Sequence, residues 1–266
     1  STTVHSPSVN PSPAAAEQPA RASLVWLGLA IAVASIVVFF VQVFGAKRLI
    51  TPWYLPIGGT LAGLLALAGA VQMRRWWAWL IAIVCVVLAG LEWAFLLFAT
   101  VLPAYTGPVA VEGKLPEFHA RLADGSIIER TYFERGRPTA VIFFQGHWCP
   151  FCMTQLTELE ANHEAFERAG ADVVVVSIED VATASQTQRD FPHLAAVSDA
   201  DRELSQGVDV INPGFAPDGS DCAAPTMLLL DGAGTVKWLH RPKRFIARPS
   251  AAELAERLGA LKAPSP

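Results

Sequence analysis

The sequence predicts a chain of two parts: a membrane α-helical region of about three helices, followed by an α/β domain with a central mixed sheet. The first part is indicated by apolar residues, which make up 52% of the whole chain and crowd into residues 23–106. The second part, residues 107–266, is indicated by short buried-strand patterns that alternate with helical ones, the arrangement typical of α/β domains.

Composition argues against two classes of function. A net charge of -4 with no basic run argues against nucleic-acid binding. Four cysteines in 266 residues are too few for a disulfide scaffold. Cys149 and Cys152 are three positions apart, and this spacing indicates chemistry rather than architecture.

The N-terminal region divides into a tail and three apolar segments. Residues 1–22 are rich in Pro, Ser and Ala and are predicted to be a disordered tail. Lys47 and Arg48 follow the first apolar segment in place of a small-residue cleavage site, which favours a retained anchor over a signal peptide. Basic residues are divided almost evenly between the two sides, so the topology stays open. Each segment could cross a hydrocarbon core of ~30 Å as a helix; the segments are about 24–44, 54–72 and 76–102.

Glu92 is expected near the middle of the third predicted span. An ionisable group is costly at that depth and therefore suggests a functional site, such as a quinone or partner site. The alternative is a protonated carboxyl that is hydrogen-bonded to a neighbouring helix. Cys85 in the same span is predicted to be a small packing residue rather than a redox partner.

The second part reads as strands and helices in regular order. A continuous apolar run at 140–145, a helix and a second apolar run at 172–178 predict a parallel strand pair. Ser250 and Glu253 form a capping-box pattern at the start of the last helix. The predicted elements in order are a hairpin at 118–122 and 127–129, a strand at 140–145, a helix at 149–169, a strand at 172–178, a helix at 181–189, a strand at 194–197, a short helix from 200, a hairpin at 226–230 and 235–240, and a helix at 250–261.

The stretch from Gln145 to Cys152 lies at a strand-to-helix junction. Cys149 should therefore lie at the helix N-cap, where unpaired N–H groups and the helix dipole favour a thiolate and make the sulfur nucleophilic. Pro150 fits the first helical turn, since its missing N–H would be unpaired there in any case. Cys152 follows nearly one turn later and can close a disulfide, so Cys149 is predicted to attack and Cys152 to resolve. This chemistry needs no cofactor beyond the disulfide itself.

Two alternatives to a redox pair can be weighed at this point. The cysteines could be buried structural residues, or they could supply half of a zinc site. Zinc would need two further ligands at a suitable spacing, and Cys222 with His147 or His240 is a poor match. No metal is therefore expected.

A family resemblance rests on these residues. Strand, Trp148-Cys149-Pro150-Phe151-Cys152, helix and strand, followed by Ala224-Pro225-Thr226 at the start of a hairpin, resemble the thioredoxin superfamily. The resemblance implies that Pro225 is cis and packs against the dithiol. More narrowly, IFFQGHWCPFCMTQLTEL, FPHLAAVSDADRELSQGVDV and RPSAAELAERL are similar to the redoxin branch of alkyl hydroperoxide reductase and thiol-specific antioxidant (peroxiredoxin-like) proteins, over about residues 112–262.

The chain departs from this family pattern at three positions. Peroxiredoxins carry a Pro and a Thr or Ser ahead of the peroxidatic cysteine, where this chain has Ile142 and Gly146. Thioredoxins keep a buried acid at the position of Phe143. Efficient peroxide reduction is therefore in question, and proton transfer at Cys152 must use another group or water.

Several residues near the motif keep two interpretations. His147 could act as a local base or be an exposed loop residue. Cys222, three positions before Pro225, could be a third thiol that relays electrons or an unpaired loop cysteine. Three arginines could bind an anion or simply solvate the surface; they are Arg241, Arg244 and Arg248.

The sequence therefore predicts a membrane-tethered thiol–disulfide oxidoreductase that acts on a protein disulfide with a thiol electron donor. One alternative is a peroxiredoxin-like peroxidase that reduces hydroperoxides through a sulfenic acid. Another is a redox or binding subunit that exchanges electrons with the membrane region around Glu92. Because disulfides persist outside the cytoplasm, we expect a bacterial inner (cytoplasmic) membrane protein with an extracytoplasmic redox domain.

Overall fold

The computed structural model describes residues 13–261, with side chains from residue 22 onward. The chain separates into two compact units. A helical unit comprises the chain as far as Val41 together with Pro52–Ala99, and an α/β unit comprises Gln42–Thr51 and the chain from Thr100 onward.

The helical unit consists of three long helices: α1 (Pro13–Phe40), α2 (Tyr54–Met73) and α3 (Trp76–Ala94). Short π-helical turns, Val41–Gly45 and Phe95–Ala99, extend the first and third helices. Helix α1 begins inside the predicted tail, of which residues 1–12 lie outside the described residues. The stretches long and apolar enough to cross a membrane are Ala22–Gly45, Tyr54–Met73 and Trp76–Ala99.

Small residues set the packing of these helices. A Cβ at Gly28 of α1 would lie 2.6 Å from the Ala62 oxygen of α2, and a Cβ at Gly63 would lie 3.3 Å from Val86 of α3. Small residues at such contacts let helix backbones approach closely, as in membrane bundles. Large apolar side chains such as Leu64 are exposed on the outside of the unit.

The α/β unit is built on a seven-stranded mixed sheet, as predicted. The strand order is β2-β1-β5-β4-β3-β8-β9, and only the β3–β4 and β4–β5 pairs are parallel. The strands are β1 (Ala120–Leu122), β2 (Ile127–Ile128), β3 (Thr139–Phe143), β4 (Asp172–Ser177), β5 (Ala195–Ser198), β8 (Thr226–Leu230) and β9 (Val236–His240). A separate two-stranded ribbon pairs β6 (Ile211–Asn212) with β7 (Cys222–Ala223).

Side chains on both faces of the sheet are buried, which explains the continuous apolar runs. In β3, Ile142 joins the cluster beneath the helices that carry Leu156 and Leu254, whereas Val141 and Phe143 join the cluster on the other face. The helices of this unit are α4 (Pro150–Ala161), α5 (His163–Ala169), α6 (Val181–Asp190), α7 (Glu203–Gly207) and α8 (Ala251–Leu261).

The helix predicted at 149–169 is wrong in one respect, because it is interrupted at Asn162. The Asn162 side-chain amide donates a 2.7 Å hydrogen bond to the Glu158 carbonyl, and the residue leaves the helical conformation. The capping box at the last helix is half formed. Ser250 Oγ accepts from the Glu253 N–H at 3.2 Å, but the Glu253 carboxylate pairs with Arg257.

Candidate active site

The turn from β3 into α4 positions the two cysteines. Cys149 is the N-cap of α4, and its Sγ accepts the Cys152 N–H at 3.4 Å. Pro150 is the first residue of the helix. Both thiols are free and buried; Cys149 is only 2% exposed, whereas the neighbouring Trp148 is 40% exposed. Each residue of the motif thus lies where the strand-to-helix junction predicts.

Gln145, buried at the end of β3, contacts both sulfurs. The Cys149 thiol donates to Gln145 Oε1 at 3.1 Å, and the Cys152 sulfur lies 3.8 Å from the same oxygen. The sequence analysis assigned no role to this residue. The signal for it was available, since Gln145 is a polar residue that ends a fully apolar strand directly before the motif.

Arg248 brings a positive charge to the dithiol. Its guanidinium is buried; Nε donates to Gln155 Oε1 at 3.1 Å, and the backbone N–H donates to the Leu49 carbonyl. Burial lowers the pKa of Arg248, while the two cysteines act to raise it. The side chain comes from the loop before α8, far along the chain from the motif, so no local pattern separated it from Arg241 and Arg244.

The two neighbouring thiols differ in how readily they lose a proton. Burial acts to raise the pKa of Cys152, but the hydrogen bond with Cys149 and the Arg248 charge lower it to about 7. The pKa of Cys149 is raised by its hydrogen bond to Cys152, by burial and by repulsion from the Cys152 thiolate. Arg248, which lies beside Cys152, thus favours a single negative charge on the pair.

Glu179 supplies an acid that the sequence analysis did not find. It follows the end of β4, next to β3, and its Oε2 accepts the His147 N–H at 2.8 Å and the Ser177 hydroxyl at 3.2 Å. Burial raises the pKa of Glu179. The chain thus has a half-buried carboxyl directly after β4, although Phe143 in β3 replaces the buried acid of thioredoxins.

His147 points away from the dithiol, towards α6. Its Nδ1 lies 3.4 Å from Thr187 Oγ1, and its Nε2 lies 3.2 Å from Gln186 Nε2 and 3.6 Å from Asp190. These contacts favour a structural role for the ring over that of a local base.

The segment before β8 lies beside the motif. The pairing of Phe143 with Thr226 places Pro225 level with Phe144 and Ala224 level with Gln145. No cis peptide bond occurs among the described residues, so the expectation of a cis Pro225 is wrong. Trans is the lower-energy isomer, and here the segment enters β8 with the Ala224 N–H bonded to the Val210 carbonyl at 2.6 Å.

Cys222, in β7, is fully buried beside the same residues. Burial and the neighbouring Cys152 raise the pKa of Cys222 to about 12, whereas a hydrogen bond with the Gln145 side chain lowers it. The structure therefore brings Cys222 into the surroundings of the dithiol.

Two of the three candidate arginines donate hydrogen bonds to threonine hydroxyls and a backbone carbonyl instead. Arg241 donates to Thr226 Oγ1 at 2.6 Å and to the Asp209 carbonyl, and Arg244 donates to Thr100 Oγ1 at 3.2 Å. Arg248 alone of the three acts on the thiols.

A groove of about 470 Å³ opens beside the motif. Gln145, Trp148 and Glu179 line one part of it, and the loop 216–221 lines another. Trp148, which is partly exposed, thus borders the groove directly before the buried Cys149 in the chain.

A cluster of possible metal ligands lies at the other end of α4. Glu160, His163 and His193 have ligand atoms within 4.8 Å of one another. The two imidazole rings stack in parallel with centroids 3.8 Å apart, so one ion could not lie in the plane of both, and His193 already pairs with Glu160. The arrangement fits an ion pair with stacked rings better than a metal centre.

Glu92 lies in the helical unit and is buried against α2. A Cβ at Gly59 would lie 2.0 Å from its Oε2, and neither carboxyl oxygen has a hydrogen-bond partner among the described residues. Glu92 is seven residues from the end of the span Trp76–Ala99 and sixteen from its start, so it is off-centre in the span. Cys85 is fully buried among alanines, as expected of a packing residue.

Fold and site together consist of a mixed α/β sheet with two free, buried cysteines at the start of a helix. Residues 111–239 match the model of the AhpC/TSA family. This part of the chain is therefore similar to the AhpC/TSA family, which agrees with the resemblance to peroxiredoxin-like proteins.

Two curated proteins are similar in sequence to part of the chain. The chain is 29% identical over 85 residues to peroxiredoxin Q, chloroplastic, of Oryza sativa subsp. japonica, covering 32% of this chain and 39% of the relative. It is 30% identical over 84 residues to the protein of the same name from Gentiana triflora, covering 29% and 38%. The chain thus spans about two fifths of the length of these curated relatives.

Solved structures also align with the chain. The crystal structure of peroxidoxin BcpB from Mycobacterium tuberculosis aligns with a TM-score of 0.48 and 14% identity, covering 58% of this chain and 96% of that one. Peroxiredoxin Q from Xanthomonas campestris aligns with a TM-score of 0.45 and 22% identity, covering 55% and 89%.

Proposed function

We propose that the α/β unit is a thiol–disulfide oxidoreductase tethered to a membrane by the helical unit. The observation that carries the proposal is the placement of Cys149 at the N-cap of α4, with Cys152 one turn later on the same helix. A sulfur at this position is stabilised as a thiolate by the Cys152 N–H and the helix dipole when it gives up its proton.

The reaction has two balanced exchange steps. The Cys149 proton moves to Cys152, and the Cys149 thiolate attacks a substrate disulfide, so that one substrate sulfur leaves as a thiolate and a mixed disulfide forms. Cys152 then gives up its proton and attacks Cys149, which releases the second substrate thiolate and closes the Cys149–Cys152 disulfide. The substrate gains two electrons, the dithiol loses two, and a thiol donor restores the reduced form.

Two buried groups support these steps. Arg248 stabilises the negative charge that the pair carries before the first attack, and again when Cys152 gives up its proton. Glu179, whose pKa burial raises, lies in the same groove as Gln145 and is suited to take the proton that Cys152 releases, directly or through water.

Hydroperoxide reduction is the second candidate. The 2% exposure of Cys149 favours a small oxidant, and the relatives are named peroxiredoxins. Against it, Gly146 occupies the position where peroxiredoxins carry Thr or Ser. A Cβ at Gly146 would lie 2.5 Å from Trp148 Nε1 and 2.8 Å from Glu179 Oε1, so a hydroxyl-bearing side chain does not fit there without displacing Trp148.

The helical unit supports the tethering part of the proposal. Three stretches of the described chain are long and apolar enough to span a membrane. We place the α/β unit outside the cytoplasm of a bacterium, since substrate disulfides persist there.

A kinetic comparison tests the proposal. Reduced full-length protein in detergent is mixed with a protein disulfide or with hydrogen peroxide, quenched in acid, and assayed for free Cys149 and Cys152 by mass spectrometry. We expect fast disulfide exchange and slow peroxide oxidation, with Cys149→Ser abolishing both. Fast peroxide oxidation with slow exchange would instead establish the peroxidase, and no reaction with either oxidant would refute both candidates.

A further inference from the structure

We propose that Cys222 is a third redox thiol, which accepts the disulfide from Cys149 and forms a fully buried Cys152–Cys222 bond. This inference rests on the proposed function, because the Cys149–Cys152 disulfide must form first. It assigns a second, internal exchange step to a residue outside the Cys-Pro-Phe-Cys motif.

The position of Cys222 depends on two neighbouring pairings. Asn212 pairs with Cys222 in the β6–β7 ribbon, and the Ala224 N–H bonds to the Val210 carbonyl. Thr226 pairs with Phe143, which brings the chain just before β8 level with the residues just before the motif. These backbone bonds place Cys222 in β7, two residues before Ala224, and keep it buried instead of leaving it in solvent.

Gln145 links the three sulfurs. Its Oε1 lies 3.1 Å from the Cys149 sulfur and 3.8 Å from the Cys152 sulfur, and the same side chain interacts with Cys222. The buried Gln145 Nε2 makes no hydrogen bond within the described part of the chain. A buried N–H without another acceptor costs free energy, and a sulfur that becomes a thiolate next to it would satisfy that donor.

The proposed step is a balanced thiol–disulfide exchange. Cys222 gives up its proton and attacks the Cys152 sulfur of the Cys149–Cys152 disulfide. The bond between Cys149 and Cys152 breaks, the Cys152–Cys222 bond forms, and Cys149 leaves as a thiolate that takes up the proton. No external oxidant is needed, since the number of disulfides is unchanged.

Exchange of this kind moves the disulfide to Cys152 and Cys222 and leaves Cys149 as a free thiol. Cys152 and Cys222 are both completely buried, whereas Cys149 lies at the N-cap next to the partly exposed Trp148. An external thiol would have to reach the stored disulfide by way of Cys149. The oxidised protein should therefore resist reduction by a bulky thiol and keep Cys149 open to alkylation.

Disulfide mapping tests the inference on the full-length protein in detergent. The protein is oxidised with one equivalent of diamide, alkylated in acid and digested with trypsin. Cys149 and Cys152 fall in one tryptic peptide, residues 136–168, and Cys222 falls in another, residues 203–237. A cross-link between these two peptides is expected. Chymotryptic cleavage after Phe151 then assigns the link to Cys152.

Cysteine variants show which residues form the cross-link. Cys149→Ser and Cys222→Ser should each lose the cross-linked peptides, and Cys85→Ser, in the helical unit, is the matched control that should behave as wild type. If the wild type forms only the Cys149–Cys152 disulfide, the inference is wrong and the proposed function stands. If none of these disulfides forms, the proposed function itself fails. The wild-type map decides even if a variant does not fold.

Discussion

At the scale of single residues, two buried polar side chains control how the dithiol ionises. Gln145 holds both sulfurs within hydrogen-bonding reach, and Arg248 places a positive charge next to Cys152. Burial by itself would raise both thiol pKa values and keep both thiols protonated at neutral pH. The hydrogen bond with Cys149 and the Arg248 charge reverse this effect for Cys152, whose pKa is lowered to about 7.

Replacing Arg248 should change the pH at which the dithiol becomes reactive. Without the cation, Arg248→Met should raise the pKa of the pair from about 7 by roughly 1–3 units, and reactivity at pH 7 should fall accordingly. The rate of iodoacetamide alkylation as a function of pH measures the midpoint. Arg248→Lys should restore much of it, and Arg257→Met, at an exposed ion pair with Glu253, should leave it unchanged. An unshifted midpoint in Arg248→Met would show that the charge does not act on the thiols.

At the scale of elements, the β3–α4–β4 unit is what the sequence predicts best. Its apolar runs and the N-cap position of Cys149 depend on residues close together in the chain, so local patterns suffice. Gln145 and Arg248 reach the two sulfurs from separate parts of the chain, and Glu179 accepts the His147 N–H. Only Gln145 left a trace in the local pattern. The break at Asn162 escaped prediction because one side-chain hydrogen bond outweighs a helical pattern that continues on both sides.

The turn into α4 depends on Gly146. Its φ of +156° and the 2.5 Å approach of its missing Cβ to Trp148 leave no room for a side chain. Gly146→Ala should destabilise the α/β unit by about 1 kcal/mol or more and move Trp148. Denaturant unfolding measures the loss. The matched control is Gly259→Ala in α8, where the Cβ would meet only Ala169 at 3.9 Å and should be neutral or stabilising. Equal stability of the two variants would contradict this account of the turn.

At the scale of the whole molecule, the chain combines an apolar three-helix unit with an α/β unit that has its own core. Composition alone indicated this division, since the share and spacing of apolar residues differ between the predicted spans and the α/β domain over long stretches of sequence. Composition could not indicate that helix α1 begins as early as Pro13. Nor could it place Glu92 against Gly59, because that contact joins two different helices.

Glu92 offers a test of whether the helical unit takes part in electron transfer. Since the proposed chemistry is confined to the α/β unit, Glu92→Gln should leave redox cycling of the dithiol in membranes unchanged. The amide has nearly the same shape as the carboxyl, so it should still fit against Gly59. Cycling is followed by alkylation of Cys149 after successive additions of oxidant and reductant. A large loss of cycling in a folded Glu92→Gln protein would support the alternative, in which electrons pass to or from the membrane region.

The central claim is that Cys149 attacks a disulfide and Cys152 resolves the product. Trapping tests it most directly: full-length Cys152→Ser protein is mixed with a protein disulfide, quenched in acid and separated without reductant. We predict a stable mixed disulfide at Cys149, absent from Cys149→Ser and dissolved by dithiothreitol. If Cys152→Ser forms no adduct while Cys149→Ser does, the roles of the two cysteines are reversed. If neither variant forms one although the wild type is oxidised by the same substrate, the exchange mechanism is wrong.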